Sequence, residues 1–361
     1  MATKFGASSA FVLYFFFLTP ASSSSSDVPL IFVLGGTSAD NGNNNCLNTT
    51  AKYNVPFNGI DYRNSTPTGR ASNGLILPDY VARRLNRTES PPPIICLIRS
   101  SDEYQRAILT EGGTLASASS GIFDTTGRPR FGEVLPLRTQ VKFFGEVYED
   151  LIDLQGRQAA TSLIRRSLVL VSTGSIDIAD QLDRPPISDS FFITAVIAQY
   201  VGLLRSLYAY EARKFAIVAP LLIGCNPNSF ADNATGCNQR GTSLTLDFVE
   251  SLATALRRLR VLYPNFQYSI CNAPNFLLDV NANPGSFPAC GIREVRDACC
   301  GNGTMPCRPT STLCGNREQY LYWSQYQLTQ EGSRILTAAC FSNNLRYAAP
   351  INFYQLARTT T

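Results

Sequence analysis

The strongest constraint on this chain is an alternation of two patterns. Continuous apolar runs recur along it: Leu30 to Leu34 in "PLIFVLGGTSADNGNNN", then "SLVLVSTG" (Ser167–Gly174), "KFAIVAPLLIG" (Lys214–Gly224) and "FQYSICNAP" (Phe266–Pro274). A strand with one face in water alternates apolar and polar residues. One that is apolar throughout is covered on both faces, as in a parallel sheet between helices. Helical periods fill the gaps: "SNGLILPDYVARRL", "FFITAVIAQYVGLLRSLYAYEA" (Phe191–Ala212), "LTLDFVESLATALRRLRVLYP" (Leu244–Pro264) and "LTQEGSRILTAACF" (Leu328–Phe341). In the third, Leu246, Val249, Leu252 and Leu256 share one face. The order predicts a three-layer α/β/α sandwich on a mainly parallel, flavodoxin-like sheet, with ligands at the carboxyl ends of its strands.

The N-terminus indicates a compartment. Lys4 precedes the apolar run "AFVLYFFFL" (Ala10 to Leu18), which is followed by Pro20, Ala21 and serines 22–26. This is the layout of a secretory signal peptide over residues 1–26, with cleavage between Ala21 and Ser26. The run is about half of the ~20 apolar residues that a spanning helix needs. No later segment reads as a membrane span. The length after residue 26 allows one large domain or two; with no internal repeat and no linker beyond the serine tract, residues 27–361 read as a single domain. Sequons at Asn48, Asn64, Asn86, Asn233 and Asn302 fit a glycoprotein. Of 11 cysteines, five lie between Cys290 and Cys314. A zinc knuckle is one reading; in an oxidising compartment a disulfide-stapled loop is the preferred one, with an odd thiol left over. No metal or other cofactor is expected. The net charge of +4, dispersed along the chain, does not point to nucleic acid.

The first strand run opens into Gly35-Gly36-Thr37, a sharp turn displaying a hydroxyl, as at a nucleophile elbow. Yet the chain has no histidine. With "LGGTSADNGNNN", the segments "TGRASNGLILPDYVARRL", "LASASSGIFDTTGR", "STGSIDIAD", "LYAYEARKFAIVAPLLIGCNP", "DACCGNG" and "LYWSQYQLTQEGSRIL" resemble, in this order, the plant GDSL esterase/lipase family of the SGNH hydrolases. The resemblance covers nearly all of the chain after residue 26. It implies the SGNH-type sandwich and, for typical members, carboxylic-ester hydrolysis. It also places the family's nucleophilic serine on Thr37 and the preceding aspartate on Gly36. The family's oxyanion glycine falls on Ala118-Ser119, its oxyanion asparagine on Ile176 and its closing aspartate and histidine on Ser324 and Gln327. Every one of these side chains departs from the family pattern.

The departures have chemical consequences. A hydroxyl attacks a carbonyl well only when a neighbouring base takes its proton, and a glutamine amide at 327 is no base at neutral pH. Serine at 324 carries no charge to orient one. Thr37 adds a methyl group and a stiff χ1. Ile176 puts hydrocarbon where a donor is expected, a loss of about 10²–10³ in rate by itself. A Ser-Lys scheme would need Lys52, Lys142 or Lys214.

Other conspicuous residues have plainer readings. Asp40, Asn41, Gly42 and Asn43 suit a cap or turn after the strand. Asp177 suits a carboxylate satisfying backbone amides at a strand end, "YLYWSQY" (Tyr320–Tyr326) suits core, with the lining of an acyl or sugar pocket as the alternative, and "SPPP" (Ser90–Pro93) a stiff surface turn. The leading expectation is a secreted, glycosylated and catalytically inactive protein that binds a small ligand or a protein partner, in the apoplast, vacuole or an ER-derived body. The alternatives are a weak esterase or acyltransferase using Thr37, and a structural glycoprotein cross-linked through its cysteine loop.

Overall fold

The computed structural model describes Met1 and residues 28–99, 101–232, 236–284 and 291–360; the expected signal segment, Asn233 and Cys290 lie outside the described residues. The strands are β1 (Ile31–Gly35), β2 (Gly112–Thr114), β3 (Leu168–Ser172), β4 (Lys214–Val218), β5 (Gln267–Cys271), β6 (Glu294–Ala298), β7 (Tyr320–Tyr322) and β8 (Ala348–Ala349). Six form one sheet in the order β2-β1-β3-β4-β5-β8; β8 is antiparallel to β5 and the other pairings are parallel. Strands β6 and β7 make a small separate pair.

Successive residues of the central strands bury on opposite faces, and both faces are covered. Leu30, Phe32, Leu34, Val169, Val171, Phe215 and Ile217 pack beneath the helices Leu137–Gln155, Arg157–Arg166, Asp189–Ala209 and Gln239–Leu262. Phe32 meets Phe144 edge to face at 5.0 Å, a ring geometry that suits the aromatic quadrupole. Ile31, Val33, Leu168, Leu170, Ala216 and Val218 face the other way, onto Leu77–Arg84, Ala273–Ala282, Gln330–Cys340 and Phe353–Ala357. This is the expected α/β/α sandwich. The helix over Leu137–Gln155 and the β6–β7 pair are additions to the sequence reading.

Two expectations need correction. Helix Asp189–Ala209 is, by length and composition, apolar enough to cross a membrane. Here its Phe192, Val196, Tyr200, Leu203, Leu204 and Leu207 pack into the core, which accounts for its apolar character. The "SPPP" segment is not simply surface. Ser90 and Pro91 are buried, because the Ser90 hydroxyl donates to Asp79 (2.6 Å) and the Pro91 carbonyl accepts from Asn41 and Thr114.

Ten cysteines pair as Cys46–Cys96, Cys225–Cys237, Cys271–Cys340, Cys299–Cys314 and Cys300–Cys307. The last two staple the segment that reads as a disulfide loop. Cys271–Cys340 spans 69 residues and joins the end of β5 to helix Gln330–Cys340. A cross-link closing a loop of that length restricts the unfolded chain by about 4 kcal/mol in the entropic account. Replacing both Cys271 and Cys340 by alanine should therefore lower stability in urea by several kcal/mol. Non-reducing peptide mapping should recover all five pairs; free thiols at 299, 300, 307 and 314 would contradict the stapled loop.

Candidate active site

The turn after β1 lies at the carboxyl edge of the sheet. Gly35 has φ +139°, and a Cβ there would lie 1.9 Å from the Ser172 carbonyl oxygen of the neighbouring strand, so only glycine fits. Buried Gln140 holds this turn: its Oε1 accepts from Gly35 N–H (2.7 Å), and its Nε2 donates to the carbonyls of Gly35 (3.0 Å) and Leu135 (2.7 Å). The polar tract that follows is a clamp. Asp40 accepts from the N–H groups of Gly42, Asn43 and Ala118 (2.8, 2.8 and 2.9 Å). Burial pushes its carboxyl up to about 6, against the pull of those amides. Asn43 and Asn44 donate to the carbonyls of Thr114, Ala116, Ala51 and Ala118. The capping role read for this tract extends to fixing the loop at 116–119.

That loop meets Thr37. Ser119 has φ +62°, a left-handed backbone that favours glycine, and its N–H donates to Thr37 Oγ1 at 2.9 Å. Tyr53 is buried beside this turn, and burial raises its pKa, so it stays protonated and is no base. Ala118 is fully buried with its N–H turned inward to Asp40 and Asn44. Of the three donors that an oxyanion hole would need, the Thr37 N–H makes no hydrogen bond among the described residues. The Ser119 N–H is taken by Thr37 itself. Ile176, the position expected to supply the third, is hydrocarbon in the first turn of helix Ser175–Leu182 and lines the same cavity.

Thr37, Ser119, Ile176 and Gln327 come together on one cavity of about 340 Å³. Gln327 and Ser324 are buried, and the Gln327 carbonyl accepts from the N–H groups of Trp323 (2.7 Å) and Ser324 (3.4 Å). Ser324 is not among the cavity's walls. Asp177 is occupied elsewhere, accepting from Ile122 N–H, Phe123 N–H and the Thr126 hydroxyl (2.9, 3.1 and 2.7 Å). It satisfies backbone amides as expected, from the first turn of a helix and not from a strand end.

Among the described residues, no lysine stands beside Thr37 to act as a base. Lys214 opens β4 at the amino edge of the sheet, remote from Thr37, and donates to the Ala357 carbonyl (2.9 Å). Burial lowers its pKa to about 8, but it faces the wrong end of the strand. Lys52 donates to the Asn45 carbonyl, and Lys142 is an exposed helix residue near Glu146.

The cavity has walls that the sequence did not reveal: Tyr53, Arg130, Asp180, Asp183, Asn228 and Gln325. The aromatic run at 320–326 divides: Leu321, Tyr322 and Trp323 are core, while Gln325, Tyr326 and Gln327 turn to the cavity. Around the rest of the surface, Asn48, Asn64, Asn86 and Asn302 are all exposed.

A family model for GDSL-like lipase/acylhydrolase matches residues 31–339. Three Arabidopsis thaliana proteins, each named a GDSL esterase/lipase, are 28%, 31% and 32% identical to this chain. The alignments cover 92%, 89% and 91% of this chain and 90%, 88% and 89% of those relatives. With the sheet order, the glycine turn and the cavity at the strand ends, this similarity means that the chain belongs to the GDSL-like lipase/acylhydrolase family.

Proposed function

We propose that this chain is a secreted GDSL-type glycoprotein that binds a ligand or protein partner at the family's cleft without hydrolysing esters there. The observation that carries the reading is the environment of Thr37. Its hydroxyl accepts from the Ser119 N–H and lies on a cavity whose family base position is the Gln327 amide. An unactivated hydroxyl is a poor nucleophile, and an oxyanion hole short of donors stabilises the transition state weakly. The test compares wild type with Thr37→Ala on p-nitrophenyl butyrate. Equal rates support the reading. A clear drop in the variant would mean that Thr37 is a working nucleophile and the protein a weak esterase.

Secretion and glycosylation rest on the N-terminal sequence, the disulfides and the exposed sequon asparagines. Protein recovered from a plant host should begin between Ser22 and Pro29, and peptide N-glycosidase should lower its apparent mass. Secreted material that begins at Met1, or a mass insensitive to the glycosidase, would contradict this part of the proposal.

A further inference from the structure

The cavity beside Thr37 carries more polar groups than a slot for an acyl chain needs. Gln325 and Gln327 are each only 8% exposed, both line it, and neither side-chain amide has a hydrogen-bond partner within the described residues. Both amides open onto the cavity rather than being sealed in the core, and a hydrocarbon occupant that covered them would leave them unsatisfied, at about 1–3 kcal/mol each. Asn228, Asp180 and Asp183 stand on the same wall region, and the charge at the rim is one guanidinium, Arg130, against those two carboxylates. A carboxylate or phosphate ligand would meet that pair unfavourably. Phe131, Ile176, Ala179, Leu182 and Ile223 also line the cavity, with Tyr53 and Tyr326, so its lining is mixed: apolar side chains beside the amides and carboxylates.

We infer that this cavity is a binding site for a small neutral polyol, a mono- or disaccharide. An amide both donates and accepts, as does a sugar hydroxyl, and a carboxylate accepts from a hydroxyl pair. Gln325, Gln327, Asp180 and Asp183 thus offer partners of both kinds around a volume of about 340 Å³, the small end of ligand pockets. The inference rests on the proposed reading of this cleft as a site of binding without turnover, and it names the class of ligand.

Saturation-transfer NMR with the intact glycoprotein tests it, using glucose, galactose, xylose, arabinose, cellobiose and sucrose as probes and hexanoate as the acyl control. At least one sugar should bind saturably, Gln325→Leu and Asp183→Ala should each weaken it about tenfold, and hexanoate should not bind. Asp183 is exposed, so its variant tests the site without endangering the fold. No saturable sugar binding, tighter binding of hexanoate, or wild-type affinity in both variants would overturn the inference. The two proposals fail separately. Thr37-dependent ester turnover with sugar binding intact defeats only the proposed function, whereas a silent protein that ignores every sugar defeats only this one.

Discussion

Thr37→Ser alone should leave the esterase rate at the wild-type background, whereas Thr37→Ser combined with Ser324→Asp and Gln327→His should raise it by at least about 10²-fold, the contribution expected of a positioned general base. The single change supplies a better hydroxyl but no group to take its proton. The triple change supplies nucleophile, base and orienting carboxylate together, and members of such a unit act non-additively. Ser324 and Gln327 are already held in one short turn by the shared Gln327 carbonyl, which favours the graft. Adding Ile176→Asn should contribute a further ~10²–10³-fold by returning an oxyanion donor. Aspartate at position 36 is best left out, because a Cβ on Gly36 would lie 3.1 Å from the Ser120 carbonyl oxygen. The measurement is p-nitrophenyl butyrate turnover across the series. Activity appearing with Thr37→Ser alone would reveal a base that the geometry does not provide, and would defeat the account.

Asp79→Ala should destabilise the protein by about 3–5 kcal/mol, the usual cost of stranding one partner of a buried ion pair. Asp79 is fully buried and takes a two-pronged contact from Arg70, at 2.9 Å from Nε and 2.8 Å from Nη2. It also accepts from the Ser90 hydroxyl (2.6 Å) and from Ile76 N–H (2.9 Å) at the start of helix Leu77–Arg84. Removal would leave the buried Arg70 guanidinium with only the more distant Glu89 carboxylate, at 3.8 Å, as a counter-charge. The double variant Arg70→Met with Asp79→Leu should recover much of the loss, because apolar groups of similar volume often substitute well for such a pair. Burial alone would raise the Asp79 pKa, but the Arg70 charge and the donors outweigh it and hold the carboxyl below its ordinary range. The folded pKa therefore lies below the unfolded value of about 3.9. Asp79's contribution is in place above that value and is lost as pH falls through the folded one. Urea melts of wild type and Asp79→Ala should accordingly differ most near neutrality and converge in acid. A difference under 1 kcal/mol at pH 7 would show that the pair does not hold this part of the fold.

Much of the architecture was legible in the residues because burial leaves a local signature. Runs such as "SLVLVSTG" are apolar at every position since both faces of β3 are covered, and that alone distinguishes a parallel sandwich from a half-exposed sheet. Cysteine density with turn residues likewise marked the stapled loop, though not its pairings, which depend on which Cα atoms the fold brings within reach. Helix Leu137–Gln155 escaped the reading, and so did β6, whose Glu294, Arg296 and Asp297 make a charged strand on a minor sheet with no apolar run.

The candidate site divides in the same way. Thr37, Ile176 and Gln327 could be singled out because each departs from a motif whose spacing is local, and the missing histidine is a property of composition alone. Tyr53 and Arg130 lie in segments with no signal of their own, and although Asp180 and Gln325 fall in segments the sequence singles out, nothing local marks them as cavity walls. They become one surface only when the sheet order and the packing of its helices set them around a common space. The sequence by itself therefore determined the layers and the absence of any histidine that could serve Thr37 as a base. What faces Thr37, and that two glutamine amides there open onto the cavity instead of pairing within the protein, was decided by the tertiary structure, because hydrogen-bond satisfaction depends on distances that no local pattern encodes.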